Sequence, residues 1–486
     1  MGLRIRSKKL SPPLQENQNS MAEDPENEEP VSPVGRMLIQ PRLHCTILCI
    51  IGFQDTVSVP GIKSKLLQTF AKHKRFSSIM QLDGSGREKW VKTRVNIEEH
   101  VIVANILPEA QKSASPVEDY AAALAVAPPL DPRKPLWEVH ILNVPSSDSA
   151  ASCILRVHHS LGDGISLVSL LVATLRSVSD PENLPSMPLP PRKQHPKGFF
   201  AGLWFVLWTV LATLWYTVTE VGRFAAVTLF SKDSSTPIKG SPGVERMPKR
   251  IASTEISLED MKTVKKAVNG TINDVMLGFV SAGIASYLRE KSPKQNFESH
   301  RMHATALVNI RKSPGLQEIA DMMEGSSKAR WGNQIGYLVI PIPLKEHTDP
   351  LEHVRSAKKI STRKKLSLEA PFTYAAGSLT MKLCGPKITA DVTYKTLANT
   401  TFSISNVMGP LEPMMLDGNP ITSIVPTVVG QPQSLFIHLQ SYAGKAKLVA
   451  TAAKDIIPDP QNLLQHCKDA LERMKQAAIT AKEWTS

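Results

Sequence analysis

From residue 36 onward, apolar positions recur with strand and helix periods; before it the chain is polar and irregular. His44 to Phe53 is an almost unbroken apolar run, the pattern of a buried strand. Ile62 to Phe70 spaces its apolar residues as an amphipathic helix does. Lys92 to Ile106 reads as paired strands, with β-favouring Thr93, Val95, Ile97 and Val101 to Val103. Leu136 to Val144 and Ser152 to Val157 predict two more strands. Ile165 to Val178 predicts a helix whose apolar side carries Leu167, Val168, Leu171, Val172 and Leu175. Beyond residue 251, helix and strand patterns alternate to the end without an internal repeat.

Two interruptions divide this pattern. Residues 181–197 hold six prolines, too dense for helix or sheet, and Ser231 to Arg250 is a second Pro- and Gly-bearing linker. Between them, 198–219 is uncharged and contains Trp204, Trp208, Trp215 and Tyr216. As a helix it would be about 33 Å long, close to one bilayer core. The organisation expected is a disordered polar arm (1–35), an α/β domain (36–180), linkers flanking an apolar membrane segment (181–250) and a second α/β domain (251–486). A spanning segment would separate the two domains across the membrane, whereas a re-entrant or in-plane one keeps them together. A buried core helix is the bland alternative. The sequons at Asn269 and Asn399 would report which side the second domain faces.

Composition narrows the partners. Fifty-seven Lys and Arg against 44 Asp and Glu leave a net charge of +13 on 486 residues, which suits anionic ligands. The basic residues are spread along the chain without a nucleic-acid motif, so nucleic acid is not expected and lipid head groups or a phosphorylated cofactor are. Cys45, Cys49, Cys153, Cys384 and Cys467 are scattered as reduced cytosolic thiols usually are, and no metal site is expected. The first residues lack the apolar core of a signal peptide, and Arg6 stands where a myristoylation motif needs Ser or Thr.

The strongest chemical signal is His158-His159-Ser160-Leu161-Gly162-Asp163-Gly164, between the strand ending at Val157 and the following helix. Side chains alternate across a strand, so only one histidine can face a cleft. Gly162 and Gly164 are read as allowing a tight turn beside it. A neutral imidazole is the usual general base for an alcohol, and attack on a thioester donor then needs neither metal nor covalent enzyme intermediate if the oxyanion is stabilised. The bland reading is a core histidine pair with Asp163 capping the next helix.

This run resembles the HHxxxDG signature of the coenzyme A-dependent acyltransferase superfamily. Pro135-Leu136-Trp137, Asn273-Asp274, Val308 to Lys312, Trp331 to Leu344 and Phe402 to Pro410 are similar, in order and spacing, to motifs of the plant-type wax ester synthase/diacylglycerol acyltransferase family. The resemblance covers roughly 36–480. It implies an α/β fold of two chloramphenicol-acetyltransferase-like domains with the active-site tunnel between them, plus the apolar insert. It implies His159 as general base, with His158, Asp163 and Gly164 completing the motif. It further implies an ion pair holding Asp163, for which Arg311 is the candidate.

Other residues carry two readings each. Asn273 and Asp274 either cap an apolar helix or line the substrate tunnel. Trp137 packs beneath the catalytic strand or touches ligand, packing being favoured. Ser405 and Asn406 are candidates for the oxyanion or the thioester. Arg355, Lys359 and Arg363 form a helical stripe for coenzyme A phosphates or anionic lipid, against the favoured alternative of a solvated face. The resemblance implies acyl-CoA as cosubstrate with no permanently bound cofactor, and a long-chain alcohol or diacylglycerol as acceptor. Membrane lipids would be partners, at the cytosolic face of the endoplasmic reticulum or else the plasma membrane. The competing functions are a condensation-type enzyme using carrier-protein thioesters and a non-catalytic lipid-binding protein of the same fold.

Overall fold

A computed structural model describes residues 28–106, 108–111, 113–182, 199–311 and 331–483. Most of the expected N-terminal arm, and linker residues 183–198, lie outside the described residues. The first sheet runs β5 (Val101–Val103), β6 (Trp137–Leu142), β7 (Ala151–His158), β2 (Thr46–Phe53), β14 (Asn419–Val429), β13 (Met414–Leu416), β8 (Arg176–Ser177). The second runs β11 (Ile335–Pro341), β10 (His303–Asn309), β12 (Phe402–Met408), β15 (Leu435–Tyr442), β16 (Lys445–Ala453), β9 (Lys249–Ile256). A third, small sheet pairs β1 (Glu28–Pro30), β4 (Glu88–Lys92) and β3 (Ser78–Leu82). The helices are α1 (Pro33–Leu38), α2 (Val59–Gln68), α3 (Pro108–Gln111), α4 (Pro116–Ala125), α5 (Gly164–Thr174), α6 (Phe199–Leu229), α7 (Leu258–Ala267), α8 (Ile272–Lys291), α9 (Leu351–Leu366), α10 (Glu369–Asn399) and α11 (Pro460–Glu483).

The apolar runs become the central strands. On β2 and β7, Ile51, Cys153 and Val157 join one core with Trp137 and Phe53, while Ile50 and Ile154 join another on the opposite face. Such two-sided burial is why these segments show no polar alternation. In the second half, Phe402, Ile404, Leu435 and Ile437 face a core completed by Val275 and Phe279 of α8 and Leu463 of α11. Alternation turns Ser403, Ser405 and His438 to the other face, the one shared with Val449, which packs against Ile50 and Ile154 of the first sheet.

Three expectations require correction. The boundary between domains is not a single cut near residue 251, because β13 and β14 of the second half complete the first sheet, with Val425 opposite Ile50 and Thr427 opposite Leu48. Strand pairing is non-local, so the pattern of β14 gave no sign of its partner. Residues 28–35 are not an arm: β1 pairs with β4, Lys89 and Arg75 hold Glu28 and Glu29, and Ser32 caps α1. Between residues 92 and 106, only Val101–Val103 remains in a strand beyond Lys92, because Asn96 caps a short helical turn over Ile97–Glu99.

The apolar insert is a single helix extending past the uncharged run to Leu229. Its outer part is exposed: Trp204 is 70 %, Trp208 61 % and Trp215 67 % accessible. Its root is buried. Glu220 is 1 % accessible, with Lys364 at 2.6 Å, Arg223 at 3.4 Å and Arg363 at 3.6 Å. Lys364 also donates to Glu369 at the start of α10. A core helix would have the reverse exposure, so the core-helix reading does not hold.

Candidate active site

Strand β7 delivers the two histidines, and the alternation of its side chains separates them. The His158 ring is buried 4.5 Å from that of His44, and its Nδ1 accepts from the Ser160 amide at 3.2 Å. It therefore braces the loop, and the expectation that it belongs to the catalytic set is corrected. His159 turns toward the second half. Its amide donates to Cys45 O (2.9 Å) on the segment leading into β2, and its Nδ1 lies 3.2 Å from Asn333 Oδ1. Asn333 Nδ2 donates to the His159 carbonyl at 2.9 Å, which fixes the amide's orientation. Because Asn333 Oδ1 can only accept, Nδ1 carries the proton and Nε2 presents its lone pair. Burial, the largest influence, lowers the His159 pKa and keeps the ring neutral.

A buried clasp holds this loop. Asp163 caps α5 by accepting from Ser166 N (3.1 Å), so the capping role is real, but its second oxygen does more. Oδ2 accepts from Arg311 Nη1 at 2.6 Å and from Gln334 N at 3.0 Å, with both side chains of the ion pair at most 3 % accessible. Arg311 also donates to Asn309 Oδ1 (3.1 Å) and to Gly332 O. Trp331 Nε1 donates to Leu161 O at 2.7 Å, and Ser166 Oγ to Gly332 O at 3.2 Å. Residues 331–334 thus grip the loop at several points. Sequence reasoning assigned none of them a role, although their one legible sign, a Trp-Gly-Asn-Gln run just before a strand, was there. Gly332 has φ of 118°, a conformation that favours glycine and lets its carbonyl meet Arg311.

The glycines differ from their expected roles. Neither Gly162 nor Gly164 has a positive φ. A Cβ on Gly162 would press on Ser166 at 2.9 Å and approach the Trp331 ring, so this glycine permits close packing. A Cβ on Gly164 would meet nothing, so a tight turn is not its reason.

The remaining candidates divide. Trp137 is fully buried, donates to Phe76 O at 2.8 Å and stacks on His100 at 4.1 Å, which makes it packing and not a ligand contact. Asp274 completes a capping box with Thr271 and is hydrogen-bonded by Ser361, so both its oxygens are engaged in structure. Its neighbour Asn273 is exposed and accepts from Asn406 Nδ2 at 2.7 Å. Ser405 Oγ lies 2.6 Å from His438 Nδ1, a partner the sequence did not suggest. His438 is buried, with its pKa pushed down to about 4 by desolvation and its Nε2 unpartnered among the described residues. No hydrogen bond among the described residues links these four to His159. The basic stripe is broken up: Arg355 pairs with Asp349 and Glu352, Arg363 leans on Glu220, and only Lys359 stands exposed without an ion pair among the described residues.

Two predictions follow from this geometry. Asp163→Asn leaves Arg311 buried without its counter-charge and should cost about 3–5 kcal/mol of stability along with activity. Chemical denaturation checks this, and a variant that is slower yet as stable as wild type would refute it. Because the His159 pKa is lowered, the base form persists into mildly acidic solution. The acid limb of the kcat/KM profile should lie below about 6.5, the ordinary histidine value.

Comparison with known proteins shows the family. Residues 62–276 match the wax ester synthase/diacylglycerol acyltransferase catalytic domain, and residues 331–475 match the WS/DGAT C-terminal domain. Wax ester synthase/diacylglycerol acyltransferase 11 of Arabidopsis thaliana is 38% identical over 465 residues, covering 93% of this chain and 96% of that one. Among solved structures, the wax ester synthase/diacylglycerol acyltransferase from Marinobacter aquaeolei VT8 is similar with a TM-score of 0.58 at 16% identity, over 93% of this chain and all of that one. The trichothecene 15-O-acetyltransferase from Fusarium sporotrichioides has a TM-score of 0.61 at 14% identity, covering 94% and 97%. At those identities the structures speak for the fold alone. The matched domains and the full-length relative together establish that this chain belongs to the wax ester synthase/diacylglycerol acyltransferase family.

Proposed function

We propose that the chain is a membrane-attached O-acyltransferase that esterifies long-chain alcohols, and diacylglycerol, with the acyl group of acyl-CoA. The observation that carries this reading is the free Nε2 lone pair of a neutral His159, held by Asn333 at the junction of the two halves. Nε2 takes the acceptor's hydroxyl proton as the oxygen attacks the thioester carbonyl. The tetrahedral adduct collapses, the carbon–sulfur bond breaks, and the imidazolium returns the proton to the departing coenzyme A thiolate. Acyl-CoA serves as cosubstrate, and the chain needs no permanently bound cofactor for this step.

The membrane attachment is read as in-plane, on the cytosolic face of the endoplasmic reticulum. Both halves share the first sheet and so occupy one side of any membrane. Trp204, Trp208, Leu211, Trp215 and Val218 fall within one narrow face of α6, and its tryptophans extend over about 16 Å. Tryptophan favours the bilayer interface, which an in-plane helix satisfies at all three positions and a perpendicular one does not. Asn399 offers no glycan site in the folded protein, since its side-chain amide is buried and donates to Val227 O at 2.7 Å.

Membranes containing wild type, given labelled palmitoyl-CoA and hexadecanol, should form labelled wax ester, and His159→Ala should lose about a hundredfold or more of that rate. Label accepted only from a carrier-protein thioester would favour a condensation-type enzyme, and no turnover on any acceptor would favour a lipid-binding protein. Separately, Trp208→Glu with Trp215→Glu should release the protein from vesicles in flotation; retention would remove α6 from the attachment.

A further inference from the structure

A cavity of about 100 Å³ lies at the root of the apolar helix, bounded by α1, α6, β11 and α10. Its walls include Met37, Phe224, Tyr337, Tyr374 and Gly377. The kink of α10 makes room for it: Gly385 takes φ of 78° and Pro386 follows, and residues from both arms of the bent helix line the space. None of the lining residues carries a charge. Outside, α6 and α10 present Trp215, Val218, Leu379 and Leu383 to the surroundings as exposed apolar side chains.

Inside, two walls lead to the catalytic loop. Ile335 and Tyr337 belong to β11, and the chain just before that strand supplies Asn333 to His159 and Gln334 to Asp163. By strand rise, Tyr337 is about 13 Å from Asn333. Val34 and Met37 share a core cluster with Leu43 and Cys45, and the Cys45 carbonyl accepts the His159 amide at 2.9 Å.

We propose that this cavity is a lateral port through which the hydrocarbon chain of the acceptor passes from the bilayer toward His159; the proposal rests on the functional reading above. The occupant follows from chemistry. Coenzyme A carries several phosphates that call for cations, and this narrow slot has no charged residue in its walls, only hydroxyls among apolar side chains. A long-chain alcohol or a diacylglycerol is dissolved in the bilayer already, and its chain loses nothing by sliding into such a slot. The in-plane α6 would set the mouth of the port at the depth of those chains.

Gly377 gives the test, because it lines the slot and a Cβ there meets nothing within 4 Å, so a larger side chain can be added at that wall. The full-length protein is assayed in phosphatidylcholine vesicles carrying 1-hexadecanol, and separately with water-soluble 1-hexanol, with palmitoyl-CoA in both. Gly377→Phe should lower kcat/KM for hexadecanol about tenfold or more while changing hexanol less than about twofold. Gly377→Ala, which leaves the slot open, should match wild type on both. Equal losses on the two alcohols, no loss on either, or a changed acyl-CoA chain-length preference with the alcohol profile intact would each overturn the port. A wild type that esterifies neither alcohol would instead overturn the functional reading, and the port with it.

Discussion

The ion pair between Asp163 and Arg311 is the constraint on which the site depends. Its members are 148 residues apart in sequence, and both are almost fully removed from water. Two charges at that depth are tolerable only because every other donor and acceptor nearby is engaged: Asp163 with the Ser166 and Gln334 amides, Arg311 with Asn309 and Gly332. The pair therefore fixes one relative arrangement of the catalytic loop and the 331–334 segment. Asn333 can then reach His159 from the other half of the molecule and select its tautomer. The hydrogen-bonded setting of His159 thus comes from docking of these two segments, and neither half provides it alone.

The same logic of buried charge recurs at the root of the exposed apolar helix α6. Glu220 sits at the end of an otherwise uncharged apolar run, yet it is buried between Lys364 and Arg363. Lys364 in turn is shared with Glu369, whose carboxyl pKa is raised, chiefly by burial. An exposed apolar helix would otherwise have nothing to hold its direction relative to the body. Here its root is tied electrostatically to the last turn of α9 and, through Lys364, to Glu369 at the start of α10, the helix whose kink shapes the apolar cavity. The basic stripe on α9, whose spacing left a ligand surface and the favoured solvated face both open, is partly used up in that anchoring through Arg363.

The two faces of the second sheet also divide labour. Apolar side chains fill the core beneath the helices, while the opposite face carries the Ser405–His438 pair and the linked Thr305, Ser403 and Gln433. A polar face buried between sheets is costly unless its groups pair with one another, and these do. Among the described residues, His438 Nε2 and Gln440 Oε1, two positions apart on β15, are buried without a hydrogen-bond partner. Buried neutral histidines such as His158, His159 and His438 bind protons less readily folded than unfolded, so they favour the folded state less as pH falls below the ordinary histidine value.

Much of this was legible along the chain. The strand–loop–helix carrying His159 was clear because two-sided burial and helical spacing are local signals, and the motif's order with its companion segments identified the superfamily. The uncharged run at 198–219 announced a helix outside any core. What stayed hidden was pairing at a distance. Nothing local in Asn419–Val429 says that it completes the first sheet, and nothing in Trp331 to Gln334 says that these residues close over a loop 170 positions earlier. Likewise, Asp274 and the Arg355 to Arg363 stripe have residue types that suit ligands, and only their neighbours in space, Thr271, Ser361 and Glu220, decided otherwise. Side-chain chemistry and the strand period, both local, narrowed the candidate base to one of two adjacent histidines, and the family resemblance pointed to His159. Tertiary structure alone decided the tautomer and the electrostatic setting of His159, because those are set by contacts between segments that no local pattern encodes.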